Sequence, residues 1–389
     1  MAKALINYRI LEWASDRAGV DADGLGAKLN TSVDRVASWL SGAEKPTFRQ
    51  AQKLAAALNI PFGFLFLNNP PVDEVSIPDL RTVGSDPTQK LDLNFRDLLK
   101  DVMFKRDWYR DFMIEVDGKP RPFVGRFALS DDAKVIARDM RRTLLPPDGD
   151  MPHAANSEAL LSELMKAAEA AGVWVMRNGV VGNNTRRPLS VRQFRGFAIS
   201  DPHVPLIFIN GKDAKAAQLF TLAHELTHIW LGESGVSNVQ IGERDFGAKR
   251  TVEQKCNEVA AEFLVPEASI RGSWRTDYTF SNNLDNNVLL YRVSRIVIAR
   301  RAFDLGLCKE DEYRRLYAFE QAQWDRDAAE DGGGGGNFYL NLPIRNGSRF
   351  TNSVVSQAIS GQLLLRQAAL LLNTQPASLV KFHQKRLAA

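Results

Sequence analysis

The clearest apolar pattern in the chain lies between Asp213 and Gly232, a stretch without Pro or any internal Gly. Its apolar residues recur at spacings of three and four, which is the period of one helix face. They are Leu219, Leu222, Leu226 and Ile229. We therefore predict a helix with an apolar stripe that begins at an Asp213 N-cap and ends at Gly232.

A second helical pattern follows from Thr251 and ends at Pro266, because proline cannot continue a helix. One face of this helix is apolar and consists of Val252, Cys256, Val259 and Phe263. Upstream, three short runs rich in β-branched and aromatic residues predict strands, at 173–177, 194–199 and 206–209. Prolines 202 and 205 predict a turn between the last two strands, which should form a hairpin.

Residues 1–68 predict four or five short helices with a helix-turn-helix rhythm. The first helix of the pair covers Leu25–Leu29, a turn and cap covers Asn30–Ser32, and the second helix covers Val33–Leu40. A further helix is predicted at Thr47–Leu58. In a DNA-binding module the second helix enters the major groove.

The DNA contacts that this arrangement predicts are few. Three side chains would point towards bases, namely Ser32, Arg35 and Ser38, and two would lie near phosphates, namely Lys28 and Lys45. Residues 1–68 contain eight Lys and Arg against six Asp and Glu, and Asp34 falls on the reading helix. Since this basic excess is weak, a DNA-binding module and a helical interaction module both remain open.

The remaining segments carry helical patterns and one linker pattern. Amphipathic helices are predicted at Phe95–Phe112 and Asp131–Leu144, and a basic amphipathic helix with a solvated face is predicted at Val288–Leu305. Gly332–Gly336 is favoured as a flexible linker. Phe350–Leu387 predicts two or three helices, again with a helix-turn-helix rhythm.

The candidate chemistry lies on the first predicted helix, in the five residues His224-Glu225-Leu226-Thr227-His228. Positions i and i+4 share one helix face, so both imidazoles can reach one tetrahedral ion, normally zinc. Glu225 is then placed to take a proton from a metal-bound water. The sequence therefore predicts a Zn²⁺ site with His224 and His228 as ligands and Glu225 as the general base.

A catalytic zinc needs a third protein ligand, and the second predicted helix offers it. Glu253 is favoured, because Asn257 then lies one turn further on, where it can hydrogen-bond a ligand histidine. Glu258 and Glu262 are the alternatives. Cys256 could also bind zinc, but it falls on the apolar face and is interpreted as a small packing residue.

With these residues identified, the chain resembles the ImmA/IrrE-type metallopeptidases that carry an N-terminal repressor-like helix-turn-helix. The resemblance rests on four segments that together span most of the chain, namely Trp39–Thr47, Ile77–Thr82, Phe220–His228 and Glu253–Pro266. The last segment makes the match specific, because H-E-x-x-H alone occurs in many zinc peptidases. One departure is Val259, where many relatives have Phe, and this changes packing only.

The resemblance implies a gluzincin-like zinc endopeptidase that cuts regulatory proteins, typically DNA-binding repressors, in bacterial stress or mobile-element control. It also implies that His224, His228 and Glu253 are metal ligands and that Glu225 is the catalytic acid/base. The alternative is a DNA-binding, antitoxin-like transcriptional regulator whose metal site is structural or vestigial. The intact Glu225 favours the enzyme, because a structural site has no need of a general base.

Composition adds limits to this picture. The 389 residues are 44% hydrophobic, as in ordinary globular proteins, and the net charge of +4 does not by itself imply nucleic acid. Two distant cysteines, no visible signal peptide and no long apolar run predict a cytoplasmic protein without a membrane segment.

We expect a mostly helical α+β fold with a zincin-like peptidase core and a small sheet. The predicted domains are a helix-turn-helix module, a linker and helical spacer, the zinc peptidase core, a helical extension, and a glycine linker with a C-terminal helical block. Their predicted ranges are 1–68, 69–160, 161–280, 281–331 and 332–389. The partners expected are a protein substrate, with a transcriptional repressor favoured, and DNA through residues 1–68.

Overall fold

The computed structural model describes residues 2–71, 92–145, 149–237, 250–330 and 337–387. The chain divides into two compact units, one of Met1–Ser76 with Leu91–Arg96 and one of Ile77–Lys90 with Asp97–Ala389. The linker motif Ile77–Thr82 and the glycine run Gly332–Gly336 both lie outside the described residues.

The first unit is a small helical domain. Its α-helices are α1 (Tyr8–Ala18), α2 (Ala22–Leu29), α3 (Val33–Leu40) and α4 (Phe48–Ala57), and a 3-10 helix covers Phe62–Phe66. The side chains of Leu25, Val36 and Trp39 are buried in its core. The two short helices predicted on either side of residues 30–32 are therefore present, with α2 beginning three residues earlier than predicted.

The turn between α2 and α3 depends on two backbone conformations. Asn30 adopts the left-handed region at φ 53° and ends α2. Gly26 lies so close to the turn that a Cβ there would be 2.9 Å from the Thr31 carbonyl oxygen. A glycine is therefore needed where α2 meets the start of α3.

The rest of the chain is helical except for two small sheets. The helices are α5 (Leu93–Val116), α6 (Ala133–Leu144), α7 (Ser157–Ala171), α8 (Lys215–Leu231), α9 (Arg250–Leu264), α10 (Glu267–Ser273), α11 (Phe280–Tyr291), α12 (Arg295–Asp304), α13 (Glu310–Glu330), α14 (Phe338–Asn346), α15 (Ser348–Ile359), α16 (Leu365–Leu371) and α17 (Pro376–Leu387). The strands are β1 (Trp174–Asn178), β2 (Val180–Val181), β3 (Asn184–Pro188), β4 (Gly196–Ile199), β5 (Leu206–Asn210) and β6 (Gly235–Ser237). The prediction of a mostly helical α+β fold with a small sheet is confirmed. None of the described helices is long and apolar enough to cross a lipid bilayer.

The main sheet has the strand order β1-β5-β4-β6. Strands β1 and β5 are parallel, whereas β4 pairs antiparallel with both β5 and β6. The predicted hairpin between the second and third runs is confirmed by the β4–β5 register, in which Phe197 faces Phe208. Every residue of β4 and β5 is buried, so the middle of this sheet is covered on both faces.

Helix α8 is the centre of the larger unit. It packs against α7, α9, β4 and β5. All fifteen residues from Ala217 to Leu231 are buried. The predicted apolar stripe is buried, and the polar residues between its members also face protein and not water. The polar side chains of a helix that is buried on every side must find partners within the protein, and this restricts which polar residues the helix can carry.

Two local predictions fail, one at the start of α8 and one between α11 and α12. Asp213 does not cap α8: its Oδ2 accepts a hydrogen bond from Arg195 Nη1 at 2.6 Å, and Ala214 takes the N-cap position without a side-chain bond. The single helix predicted at Val288–Leu305 is broken, because Arg292 adopts the left-handed region at φ 58° and ends α11. Ser294 then caps the start of α12.

The C-terminal helices are attached to the sheet at its β1 edge. Trp174 Nε1 donates a hydrogen bond to the Asn346 carbonyl oxygen at 2.6 Å. The Glu169 carboxylate, at the end of α7, accepts a hydrogen bond from the Ser348 amide at 2.7 Å. Arg349 Nη1 donates to the Glu169 carbonyl oxygen at 2.8 Å. This anchor is buried, and burial raises the pKa of the Glu169 carboxyl to about 7.

The variant Glu169→Gln should stabilise the protein at alkaline pH. The pKa of Glu169 is about 7 in the folded protein and near 4.5 in the unfolded chain, so the folded protein binds this proton more tightly. The stability that this difference supplies is fully present below pH 4.5 and is lost as the pH rises to 7. Glutamine mimics the protonated form and should raise the free energy of unfolding by up to about 3 kcal/mol at pH 8. Denaturant unfolding at pH 8 and pH 5 measures this, and most of the gain should disappear at pH 5. An equal gain at both pH values, or the same effect from Glu163→Gln on the same helix, would contradict the assignment.

Candidate metal centre

Helices α8 and α9 bring the predicted site residues together. The Nε2 atom of His224 lies 3.1 Å from Glu253 Oε2, and the Nε2 atom of His228 lies 3.1 Å from Glu253 Oε1. The two Nε2 atoms are 3.2 Å apart. Three donor groups on two helices therefore form a triangle in the protein interior, with a different Glu253 oxygen facing each imidazole.

The size of this triangle fits one tetrahedral ion. Zinc binds imidazole nitrogen and carboxylate oxygen at about 2.0–2.2 Å. At the tetrahedral angle, two such ligand atoms lie roughly 3.3 Å apart. The observed separations of 3.1 to 3.2 Å are close to this spacing. The donor set of two imidazoles and one carboxylate leaves the fourth position for water or substrate.

The orientation of His224 is fixed from its outer side. Its Nδ1 lies 3.0 Å from Asn257 Oδ1, on the turn of α9 that follows Glu253. An amide oxygen can only accept, so the His224 Nδ1 carries the hydrogen and Nε2 keeps its lone pair when the ring is neutral. The predicted partnership between Asn257 and a histidine of the motif therefore has a geometric basis.

The electrostatics of the triangle match its geometry. Burial disfavours the charged form of Glu253, but the two imidazoles beside it hold the pKa of this carboxyl well below its usual range. Burial likewise opposes protonation of His224, yet the Glu253 carboxylate raises the pKa of this imidazole overall. The site thus stabilises a positive charge between the three groups, as a cation-binding site must.

Cys256 is a second candidate for the third donor. Its Sγ and the ring nitrogens of His224 and His228 all lie within 4.8 Å of one another. The Glu253 oxygens are closer, at 3.1 Å from each imidazole. Burial, with the nearby Glu253 and Glu225 charges, raises the pKa of the Cys256 thiol well above its usual value. We favour Glu253, because a neutral thiol is a poor ligand and the carboxylate is already charged.

The two other glutamates of α9 have different surroundings. Glu258 is exposed and pairs with Lys255 at 3.5 Å. Glu262 accepts hydrogen bonds from the Glu267 amide at the start of α10 and pairs with Arg301. Arg301 is buried, so the solvated basic face predicted for this part of the chain is wrong at Arg301. Both glutamates, given as alternative ligands from the sequence, therefore have other partners in the structure.

Glu225 lies on α8 beside the triangle and is fully buried. Its charge contributes to the raised pKa of His224, so the two groups are close enough to interact electrostatically. The Cα of Gly196, at the start of β4, lies directly against it. A Cβ on Gly196 would be 2.8 Å from Glu225 Oε1, 2.6 Å from Thr221 Cγ2 and 3.0 Å from the Phe208 carbonyl oxygen.

Gly196 was not identified from the sequence as part of the site. The available signal was a single glycine inside an otherwise β-branched and aromatic run, which indicates a close approach of another group. The contact itself joins β4 to α8, and no local pattern predicts which helix would approach the strand.

The predicted DNA contacts belong to the first unit. In the first unit, Ser32, Arg35 and Lys45 are exposed and Ser38 is half-buried.

Two helices that direct two imidazoles and a carboxylate to one point, next to a buried glutamate, define a candidate metal-dependent hydrolase site. Residues 168–303 match the family model described as Peptidase_M78, IrrE N-terminal-like domain. Residues 346–385 match a second family model, described as a domain of unknown function (DUF8813). No curated protein and no solved structure matches the chain.

The first match covers about a third of the chain and contains His224, Glu225, His228 and Glu253. It supports the resemblance to the ImmA/IrrE family in this region and, in general, a metallopeptidase-type regulatory role. Because a peptidase acts on a protein, the match also indicates a protein substrate in general terms. The identity of the ion and of the substrate requires further argument.

The variant Gly196→Ala should disturb both stability and the position of Glu225. Its Cβ would meet the Phe208 backbone at 3.0 Å, and backbone cannot move aside without shifting the β4–β5 pairing. Overpacking of this kind costs about 1–3 kcal/mol of unfolding free energy, measurable by denaturant unfolding. Gly272→Ala is the matched control, because no atom lies within 4 Å of a Cβ there. Equal stability of the two variants would show that the close approach is not a constraint.

Proposed function

We propose that the chain is a zinc-dependent endopeptidase that cleaves a specific regulatory protein, with a DNA-binding repressor as the favoured substrate, in bacterial stress or mobile-element control. The observation that carries the proposal is the Glu253 carboxylate, 3.1 Å from the Nε2 atoms of both His224 and His228. A buried general-base candidate on the same helix, Glu225, completes the set.

In this proposal His224, His228 and Glu253 hold the ion, and Asn257 orients His224 through its Nδ1–H. A bound zinc ion would lower the pKa of a water molecule and polarise the scissile carbonyl. The Glu225 carboxylate accepts the proton of the attacking water and later delivers it to the leaving amine. Burial keeps this carboxylate away from competing solvent, which strengthens its interactions with nearby charges.

A narrow substrate range is consistent with the burial of the site. The side chains of His224 and His228 are 2% and 1% exposed, and that of Glu253 is 11% exposed. An enzyme that digests many proteins needs an open cleft, whereas one selected for a single regulator can require a specific fit before the peptide reaches the centre. The repressor-like first unit supports a regulator as the target.

Metal content tests the ligand assignment without any activity assay. Purified wild-type chain should hold about one zinc per molecule, and Glu253→Gln should lose most of it on dialysis, because only one charged ligand is present. Cys256→Ala should retain zinc if the thiol only packs. Glu258→Gln, an exposed position on the same helix, is the matched control. Retention by Glu253→Gln with loss by Cys256→Ala would assign the third ligand to the cysteine.

Cleavage of a co-encoded repressor tests the mechanism. The wild-type chain should cut the repressor at one site, and Glu225→Gln should bind zinc normally while cleaving it at least 100-fold more slowly, since general base catalysis contributes roughly 10²–10⁴-fold. Electrophoresis and mass spectrometry of the products measure this. The proposed mechanism is wrong if Glu225→Gln binds zinc and cleaves as fast as the wild type.

The second candidate function is a DNA-binding regulator with a structural or vestigial metal site. It is favoured by the exposure of Ser32 and Arg35 on α3, whose other face is held in the core by Val36 and Trp39. A helix presented in this way can enter the major groove. An absence of DNA affinity at low salt would remove this role from the first unit.

A further inference from the structure

The charge of the chain is distributed unevenly along its length. From Gly332 to Ala389 there is no Asp or Glu, although the segment carries six Lys and Arg residues. They are Arg345, Arg349, Arg366, Lys381, Lys385 and Arg386. Since the net charge of the whole chain is only +4, the rest of the chain is slightly acidic. A segment whose Lys and Arg residues are not balanced by any Asp or Glu indicates a polyanionic partner.

The six cations divide into an inner and an outer set. Arg345 Nη1 donates to Asn183 Oδ1 at 2.8 Å, and Arg349 Nη1 donates to the Glu169 carbonyl oxygen at 2.8 Å. These two arginines therefore hold the segment on the peptidase core. The outer set consists of Arg366, Lys381, Lys385 and Arg386, and all four are exposed.

The outer cations are not neutralised within the described residues, because none of the ion pairs there includes them. Lys385 Nζ lies 4.4 Å from the centre of the Tyr339 ring, and Arg386 Nη1 donates to Asn352 Oδ1. Both partners are uncharged, so the positive charge remains available to an external ligand.

Helices α15, α16 and α17 form a three-helix module, defined here as the C-terminal module, residues 348–387. Residues 372–375 join α16 to α17, and Asn373 adopts the left-handed region at φ 50° in this turn. On α17, Leu379 and Phe382 are buried and fix its inner side. This is the helix-turn-helix rhythm predicted for the end of the chain.

The outer face of α17 follows from the helical period. Ala377, Lys381, Gln384 and Lys385 lie opposite Leu379 and Phe382, and all four are exposed. Small, amide and cationic side chains are those that fit against base edges and phosphates in a major groove. The face has no large apolar side chain to enter a membrane, and its aromatic residue, Phe382, is buried and cannot stack on unpaired bases.

We propose that the C-terminal module is a binding site for double-stranded DNA, with α17 as the helix that enters the major groove. Lys381 and Gln384 face the base edges in this arrangement. Arg366 and Lys385 contact phosphates on either side. The site is separate from the metal centre and from α3, and it gives a function to the region that matches a domain of unknown function.

Fluorescence anisotropy of the full chain with a labelled 20-base-pair duplex, over a series of KCl concentrations, tests the proposal. Each lost phosphate contact reduces the magnitude of the slope of log K against log salt by about 0.9, where K is the association constant. Lys381→Gln with Lys385→Gln should therefore lower the magnitude of the slope by roughly 0.9, because Lys385 contacts a phosphate and Lys381 a base edge, and should weaken binding roughly 10-fold or more at 0.1 M salt. The matched control is Lys166→Gln with Arg314→Gln, two exposed cations outside the module, which should bind like wild type.

A second double variant separates the two candidate DNA sites. Arg35→Gln with Lys45→Gln removes cations of the first unit and should leave the contribution of Lys381 and Lys385 intact. The proposal is overturned if the Lys381/Lys385 variant, with unchanged circular dichroism, keeps the wild-type affinity and salt slope. It is also overturned if wild-type chain binds vesicles containing phosphatidylserine but no duplex, since the partner would then be a membrane.

Discussion

The candidate site depends on one buried interaction, the Glu253 carboxylate held between the imidazoles of His224 and His228. A lone carboxylate in the protein interior would be strongly disfavoured, and so would a lone charged imidazole. Together they form a compact set whose separations are 3.1 to 3.2 Å. The packing of α8 on α9 is what makes this possible, because neither helix carries all three groups.

This interaction explains why α8 is buried on every side. A metal helix with one wet face would leave the imidazoles partly solvated, and water would compete for the ion. Here the β4–β5 hairpin covers one side of α8, and α7 and α9 cover others. Strand β4 approaches α8 so closely that position 196 must be a glycine. Any side chain there would collide with Glu225, Thr221 or the Phe208 backbone.

The parts of this arrangement that follow a local period could be predicted from the sequence. The spacing of His224 and His228, the extent of α9 and the β4–β5 hairpin all follow from patterns within about fifteen residues. Two of the failures have a common cause, which is a partner far along the chain. Asp213 pairs with Arg195 instead of capping α8, and Arg301 is buried against Glu262 instead of facing water. The outer strand β6 likewise is defined only by its pairing with β4.

The hydrogen bonds that attach the C-terminal module bear on how its proposed ligand could act. Glu169 and Asn183 hold the module through half-buried hydrogen bonds to Ser348 and Asn373, and Asn373 adds another to Asp101 at 2.8 Å. Hydrogen bonds at several points oppose a shift of the module, and a ligand acts through conformation only where it binds two arrangements with different affinity. DNA bound there would instead act by proximity. It would raise the local concentration of the enzyme near a DNA-bound repressor, and a modest affinity would then be enough to direct the protease to its substrate.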